Sequence, residues 1–224
     1  MSLFTEDEIA YCRRYKVRPE ERFTTQYLGK QAVATLLGLT PAEMNWHDIV
    51  LTRSPFGAPQ VTLNGVAKSA AQEKGLDYIP LSLSHETQSA VAMCTPDKTK
   101  NGVPIVAVGI DVCTTTTFRP HLIEGLFTQQ EIQACMQGEE PGKQFALYFA
   151  AKESVIKIFQ TLETFSGGIW KQIELQKDEN GNYTLHFFDR AKKRAEEMGI
   201  GEVFTSLSFD KNIGALAVSI ATAE

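Results

Sequence analysis

The stretch that decides the fold is LFTEDEIAYC, residues 3–12, because it returns as LFTQQEIQAC at residues 126–135. Six of the ten positions are identical, whereas chance matching at ordinary composition gives roughly one or fewer. Three further pairs of segments match at separations of 122 to 124 residues: RFTTQYLGKQAVATLLG (22–38) with QFALYFAAKESVIKIFQ (144–160), WHDIVL (46–51) with WKQIEL (170–175), and PLSLSHE (80–86) with FTSLSFD (204–210). The sequence therefore predicts an internal duplication.

The sequence pattern of each copy predicts the same order of elements, namely helix, hairpin, helix, hairpin. Amphipathic helices are expected from Pro19 to about Gly38 and from about Gly142 to Leu162. The predicted strands lie near residues 49–51, 61–63, 79–84 and 89–94 in the first copy and near 173–175, 183–187, 203–208 and 215–221 in the second. This order indicates an α+β protein with mainly antiparallel sheets.

The two copies divide the chain into an N-terminal half with its connecting loop, residues 1–102, and a C-terminal half, residues 103–224. Halves of about 100 residues are expected to bury their apolar faces against each other, as the subunits of a homodimer do. The sequence thus predicts a pseudo-twofold dimer within one chain, with a cleft between the halves.

Composition narrows the class of protein. The hydrophobic fraction is 43% and the charged fraction 22%, as in ordinary globular domains. A net charge of −5 argues against a nucleic-acid binder. The apolar run 103–110 is about half of the roughly 20 residues that a membrane helix needs, and residues 1–14 lack the apolar region of a secretory signal. We expect a cytoplasmic protein with no nucleic-acid or membrane partner.

The four cysteines lack C-x-x-C spacing, so neither zinc nor a disulfide framework is indicated.

The copies differ at positions whose side chains can do chemistry. Glu153 and Lys157 in the second copy correspond to Gln31 and Thr35 in the first. Conversely, His85 of the first copy has a phenylalanine as its counterpart. Complementary losses of this kind predict a single composite site between the halves, to which each half contributes different groups.

The chemistry of these groups is consistent with a metal site. Glu153 and Lys157 are spaced i, i+4 on one helical face, and Asp111 ends a hydrophobic stretch that has no counterpart in the first copy. Two carboxylates without histidine or thiolate partners suit Mg²⁺, which keeps waters and binds substrate phosphates. Lys157, Lys30 and His85 are candidate phosphate contacts.

At these residues the sequence resembles the 4′-phosphopantetheinyl transferase superfamily. The similar segments are VGIDV (108–112), FAAKESVIK (149–157), LSLSH (81–85) and, more weakly, FGAP (56–59). The duplication resembles the tandem pseudodimers of the surfactin-synthetase-activator type, and the motifs are similar to those of the half-length, trimeric holo-acyl-carrier-protein synthases.

The resemblance implies Mg²⁺-dependent transfer of the phosphopantetheine arm of coenzyme A to a serine of an apo carrier protein, with release of 3′,5′-ADP. It also implies a role for each of seven residues: Asp111 and Glu153 hold the metal, Glu153 deprotonates the serine, Lys157 neutralises the pyrophosphate, Ser84 and His85 contact coenzyme A phosphates, and Arg22 and Lys30 are weaker phosphate contacts. The carrier could belong to fatty-acid, polyketide, nonribosomal-peptide or lysine biosynthesis.

One departure from the family concerns Cys113, which replaces a second acid found in many tandem members. A water could fill the third metal position, metal affinity could be weaker, or Glu139 or Glu140 could supply the ligand. Two alternative functions follow: a non-catalytic carrier-protein or nucleotide-binding module, and a different Mg²⁺-dependent enzyme acting on a diphosphate ester. A fused pseudodimer is expected to be monomeric.

Overall fold

A computed structural model describes residues 2–86, 89–115, 117–160 and 169–224. Its helices are α1 Glu6–Arg13, α2 Pro19–Leu37, α3 Gly65–Glu73, α4 Pro120–Leu126, α5 Gln129–Gln137, α6 Pro141–Phe159 and α7 Asp189–Glu197. Its strands are β1 Ile49–Arg53, β2 Pro59–Leu63, β3 Leu81–Glu86, β4 Ser89–Cys94, β5 Ile105–Cys113, β6 Ile173–Lys177, β7 Tyr183–Phe187, β8 Ile200–Asp210 and β9 Gly214–Ala223. The α+β prediction is confirmed.

The strands form small antiparallel sheets. β1 pairs with β2, β3 with β4 and β6 with β7, while β5, β9 and β8 form a three-stranded sheet in that order. Strand β5 also lies against β3, since the Ile110 N–H donates to the Ser82 hydroxyl at 3.0 Å. The two parts of the chain therefore meet along β5. None of the described helices is long and apolar enough to cross a membrane.

Two predicted helix ends can be compared with the structure. Helix α2 ends before Gly38, whose φ of 74° is the left-handed conformation that glycine adopts at helix ends. Helix α6 ends at Phe159, followed by Gln160 at φ 48°. Leu162, to which we extended this helix, lies outside the described residues.

The repeated segment itself forms helices α1 and α5, which our sequence analysis did not assign. Each begins with a capping box. Thr5 accepts from the Glu8 N–H at 3.3 Å, and Glu8 accepts from the Thr5 N–H at 2.8 Å. Thr128 and Glu131 make the same pair of bonds, at 3.2 and 2.8 Å. The T-x-x-E spacing was the available signal for both helix starts.

A buried lysine joins each of these two helices to the elements around it. Lys30 on α2 donates to Glu8 at 2.8 Å and to the carbonyls of Leu3 at 3.1 Å and Trp46 at 3.0 Å. The other oxygen of Glu8 accepts from the Leu51 N–H at 2.9 Å. Because Lys30 is fully buried, these partners replace the water that its ammonium group lost.

The residues after 103 form an equivalent arrangement around Lys152. Lys152 on α6 lies 2.6 Å from Glu131 and donates to the carbonyls of Leu126 and Trp170, each at 2.9 Å. The Leu175 N–H donates to Glu131 at 2.9 Å. Burial lowers the pKa of Lys152 and raises that of Glu131, and each partner's opposite charge counters the shift. We call these two arrangements the lysine cages.

Replacing Lys152 with methionine should lower the free energy of unfolding by about 3–5 kcal/mol, because Glu131 would stay buried without its cation. Urea denaturation measures this change. Lys193→Met is the matched control: Lys193 is 75% exposed in its pair with Glu197, so its loss should cost less than about 1 kcal/mol. Equal stability of the two variants would contradict the prediction.

Candidate functional site

A cavity of about 900 Å³ lies between the two parts of the chain, and we call it the seam cavity. Its polar lining comes from both. Residues before 103 contribute Arg22, Arg53, Ser84 and His85, and residues after 103 contribute Asp111, Glu153 and Lys157. Six of the seven predicted site residues therefore line one cavity; the seventh, Lys30, does not.

Asp111 accepts hydrogen bonds from residues in both parts of the chain. Its Oδ1 accepts a hydrogen bond from the Ser84 hydroxyl on β3 and another from Lys157 Nζ on α6, each at 2.7 Å. Lys157 also donates to the Ile110 carbonyl at 2.8 Å. Asp111 is buried, so these bonds stabilise its carboxylate in place of water. The charge-assisted contact with Lys157 sets how α6 faces the end of β5.

A close approach between α6 and β5 makes this geometry possible. A Cβ placed on Gly109 would lie 3.2 Å from the Ser154 Cα and closer still to the Ser154 carbonyl carbon and oxygen. Any side chain larger than hydrogen would push the helix away. The glycine of the VGIDV segment thus brings Glu153 and Lys157, which flank Ser154 on α6, against Asp111.

Glu153 shares the cavity with Asp111. Burial raises the pKa of Glu153 to about 7, the negative charge of Asp111 adds to the rise, and Lys157 opposes it. A carboxyl group with such a pKa can take up and release a proton near neutral pH, as a general base must.

The two carboxylates fit a hard divalent cation. They repel each other across the cavity, and a cation would relieve that repulsion. In the described part of the chain, no three His, Cys, Asp or Glu residues cluster as a metal site. Asp111 and Glu153 would be the protein ligands of such a cation, with the other positions left to water and substrate, as Mg²⁺ prefers.

Neither Cys113 nor Glu140 is placed to supply a third metal ligand. Cys113 is buried, its Sγ lies 3.5 Å from the Thr115 carbonyl, and burial raises its pKa to about 12, so it stays a protonated thiol. Glu140 precedes α6, and the 13 residues that separate it from Glu153 extend about 20 Å along a helix. The suggestion of Glu139 or Glu140 was wrong for that reason.

His85 lies at the end of β3, beside the serine that binds Asp111. Its Nε2 is 3.8 Å from a carboxylate oxygen of Glu21. Burial lowers the pKa of His85, and the charges of Arg22, Lys157 and Arg53 lower it further, whereas Glu21 opposes the shift. Three cations therefore act on this part of the cavity, which favours an anionic ligand.

The prediction that Lys30 contacts phosphate needs correction. Lys30 lies at the centre of the first lysine cage, fully buried, with its ammonium group bonded to Glu8 and two carbonyls. An ammonium group has three donors, and all three are used. Lys30 therefore supports the fold and lies outside the seam cavity.

Sequence reasoning missed Arg53, at the end of β1. Arg53 lines the seam cavity, and its Nε is enclosed without a hydrogen-bond partner in the described structure. The available signal was its position immediately before the turn at residues 54–58, which overlaps the FGAP segment (56–59).

Comparison with known proteins identifies the family. A family model described as the 4′-phosphopantetheinyl transferase superfamily matches residues 107–217. A holo-[acyl-carrier-protein] synthase of Salinispora arenicola is 38% identical over 96 residues, which are 43% of this chain and 77% of that protein. The chain belongs to the 4′-phosphopantetheinyl transferase superfamily.

Two further members of the superfamily are similar. A holo-[acyl-carrier-protein] synthase of a Geobacter species is 33% identical over 113 residues, 47% of this chain and 90% of that protein. A solved holo-ACP-synthase from Plasmodium yoelii has 25% identity and a TM-score of 0.46, covering 55% of this chain and 98% of its own. Nearly the whole of the Geobacter relative therefore corresponds to about half of this chain.

The raised pKa of Glu153 predicts a pH dependence of stability. The folded protein holds a proton on Glu153 up to about pH 7, whereas an ordinary glutamate releases it near 4.5. This contribution to stability is complete below pH 4.5. As pH rises from about 4.5 to 7, Glu153 should lower the free energy of unfolding by up to about 3 kcal/mol.

Urea denaturation in EDTA across this pH window measures the effect. Glu153→Gln should remove this downward slope, whereas Glu139→Gln, which changes an exposed acid, should keep it. Parallel slopes for the unaltered chain and Glu153→Gln would show that the carboxyl group of Glu153 does not titrate in this window.

Proposed function

We propose that this protein transfers the 4′-phosphopantetheine arm of coenzyme A to a serine of an apo carrier protein, as a Mg²⁺-dependent holo-[acyl-carrier-protein] synthase that releases 3′,5′-ADP. The observation that supports this most directly is the contact of Asp111 with Ser84 and Lys157 from opposite sides of the seam cavity, next to Glu153. The superfamily assignment and the names of the relatives support the same reaction.

We further propose that the chain is a tandem pseudodimer with halves 1–102 and 103–224. The two lysine cages support this, because they use corresponding residues with the same bonds: Leu3, Glu8, Lys30, Trp46 and Leu51 in one, and Leu126, Glu131, Lys152, Trp170 and Leu175 in the other. The relatives that match only about half of this chain support it as well. A monomeric state follows from this proposal.

The corresponding position in the first half lacks the reactive groups. Gln31 and Thr35 stand where the second half has its acid and lysine, and Gln31 donates to the Tyr27 hydroxyl at 2.9 Å. Phe209, the counterpart of His85, instead packs beneath Lys143 with 5.0 Å between Nζ and the ring centroid. We infer one functional site for each chain, assembled from both halves.

The proposed reaction assigns a task to each residue of the site. Glu153 accepts the proton of the carrier serine. The serine oxygen bonds to the phosphorus that bears pantetheine, and the P–O bond from that phosphorus to 3′,5′-ADP breaks. Lys157 lies where negative charge develops on the leaving diphosphate oxygen, which is the main requirement of phosphoryl transfer. Ser84 holds Asp111, and His85 and Arg22 contact phosphate oxygens. When bound, Mg²⁺ supplies positive charge to the diphosphate.

Glu153→Gln should abolish transfer, because glutamine cannot accept the serine proton. The assay is intact mass spectrometry of an apo carrier protein incubated with the variant, coenzyme A and Mg²⁺; fatty-acid, polyketide and peptide carriers should each be tried. The unaltered protein should add one phosphopantetheine arm, and EDTA should prevent the addition.

Gln31→Ala is the matched control for this experiment, since it alters the corresponding position of the first half and should transfer at the normal rate. Normal transfer by Glu153→Gln would refute its assigned role. If the unaltered protein binds carriers and coenzyme A but modifies none of the carriers, a non-catalytic binding module becomes the better account, with Cys113 as the departure that explains it.

A further inference from the structure

Two tyrosines form a small aromatic surface on one side of the seam cavity. Tyr11 lies on α1, and Tyr15 follows it four residues later, just beyond the end of the helix at Arg13. Their ring centroids are 5.6 Å apart at 70°, and their hydroxyl oxygens are 3.5 Å apart. Both line the cavity, and we call them the tyrosine shelf.

Each tyrosine lies under an arginine from a different element. The guanidinium carbon of Arg22 on α2 is 4.1 Å from the Tyr15 ring centroid, and that of Arg53 on β1 is 5.3 Å from the Tyr11 ring centroid. Both distances fall within the range of cation–π attraction. One face of each guanidinium group is therefore held by an aromatic ring.

These arginines lack the partner that usually neutralises such a group. In the described ranges, neither Arg22 nor Arg53 forms an ion pair with a carboxylate. Among the residues that the structure describes, Arg53 has one hydrogen bond, a 3.5 Å contact from Nη1 to the Gly57 carbonyl, and its enclosed Nε has no hydrogen-bond partner. The nearby acid, Glu21, instead bonds Arg18 at 3.0 Å.

The chemical consequence concerns donors and charge. A carboxylate partner would occupy the N–H edge of a guanidinium group and cancel its charge, whereas a ring beneath its face leaves the edge free. Two such guanidinium groups lining one cavity suit charge-assisted binding of a phosphate group through their terminal N–H donors.

We propose that Tyr11 and Tyr15 are positioning residues that hold Arg53 and Arg22 to bind a phosphate group of coenzyme A. The proposal rests on the proposed function for the identity of the ligand. A purely structural role for Tyr15 is a poor alternative, because its side chain is 38% exposed and adds little to the core.

The test is the dissociation constant of coenzyme A and of 3′,5′-ADP, measured by calorimetry on the full chain without a carrier protein. Tyr15→Leu and Tyr11→Leu should each raise both constants about 2- to 5-fold, the range expected for loss of one exposed cation–π contact. Tyr15→Phe and Tyr11→Phe keep the ring and should stay within about 1.5-fold of the unaltered protein.

A double-mutant cycle separates positioning from folding. Once Arg22 is replaced by glutamine, Tyr15→Leu should have no further effect on binding, because the ring acts through Arg22. If Tyr11→Leu does not fold, the dissociation constants of Tyr15→Leu, a change at an exposed residue, are sufficient to test the proposal. Any one of three results would overturn the proposal. The leucine variants could leave the dissociation constants unchanged, the phenylalanine variants could weaken binding as much as the leucine variants, or the effects of Arg22→Gln and Tyr15→Leu could be additive.

The two proposals fail in different ways. If the unaltered protein modifies a carrier but the leucine variants bind coenzyme A normally, the shelf proposal is wrong and the transferase proposal stands. If no carrier is modified but coenzyme A binds and the leucine variants weaken its binding, the shelf proposal stands and the transferase proposal is wrong.

Discussion

The close approach of helix α6 to strand β5 at Gly109 is the constraint on which the site depends. Only a residue without a Cβ allows the Ser154 backbone to lie so near, and this contact sets the distance from α6 to the end of β5. Lys157 then reaches Asp111 at 2.7 Å, and Glu153 faces the same cavity. If α6 moved away from β5 by the width of a methyl group, Glu153 and Lys157 would both move away from Asp111.

The lysine cages give the two parts of the chain the same buried arrangement, although the chemistry of their long helices differs. Each cage fixes a capping-box helix, a long helix and a strand through one buried ammonium group, Lys30 or Lys152. Because these ions lie inside the protein, they impose strict geometry and leave the outward faces of the long helices unconstrained. One such face presents Glu153 and Lys157, and the other presents neutral side chains.

Charge is distributed unevenly around the seam cavity. Residues after 103 contribute carboxylates that suit a metal, and residues before 103 contribute Arg22, Arg53 and His85, the two arginines lying over Tyr15 and Tyr11. A ligand with several phosphate groups and a divalent cation complements both walls. This complementarity connects the proposed transferase reaction to the proposed role of the shelf.

The sequence by itself determined the α+β class, most strand positions and the acids and lysine of the site, because hydrophobic period, glycine placement and differences between repeated segments are local properties of the chain. Only the tertiary structure decided which charged groups face the cavity. Lys30 and Arg53 illustrate this: a lysine in a motif-like helix proved to be buried against Glu8, whereas an arginine without a motif proved to line the site. The side-chain environment of a residue depends on elements distant in sequence, and spacing along the chain does not report it.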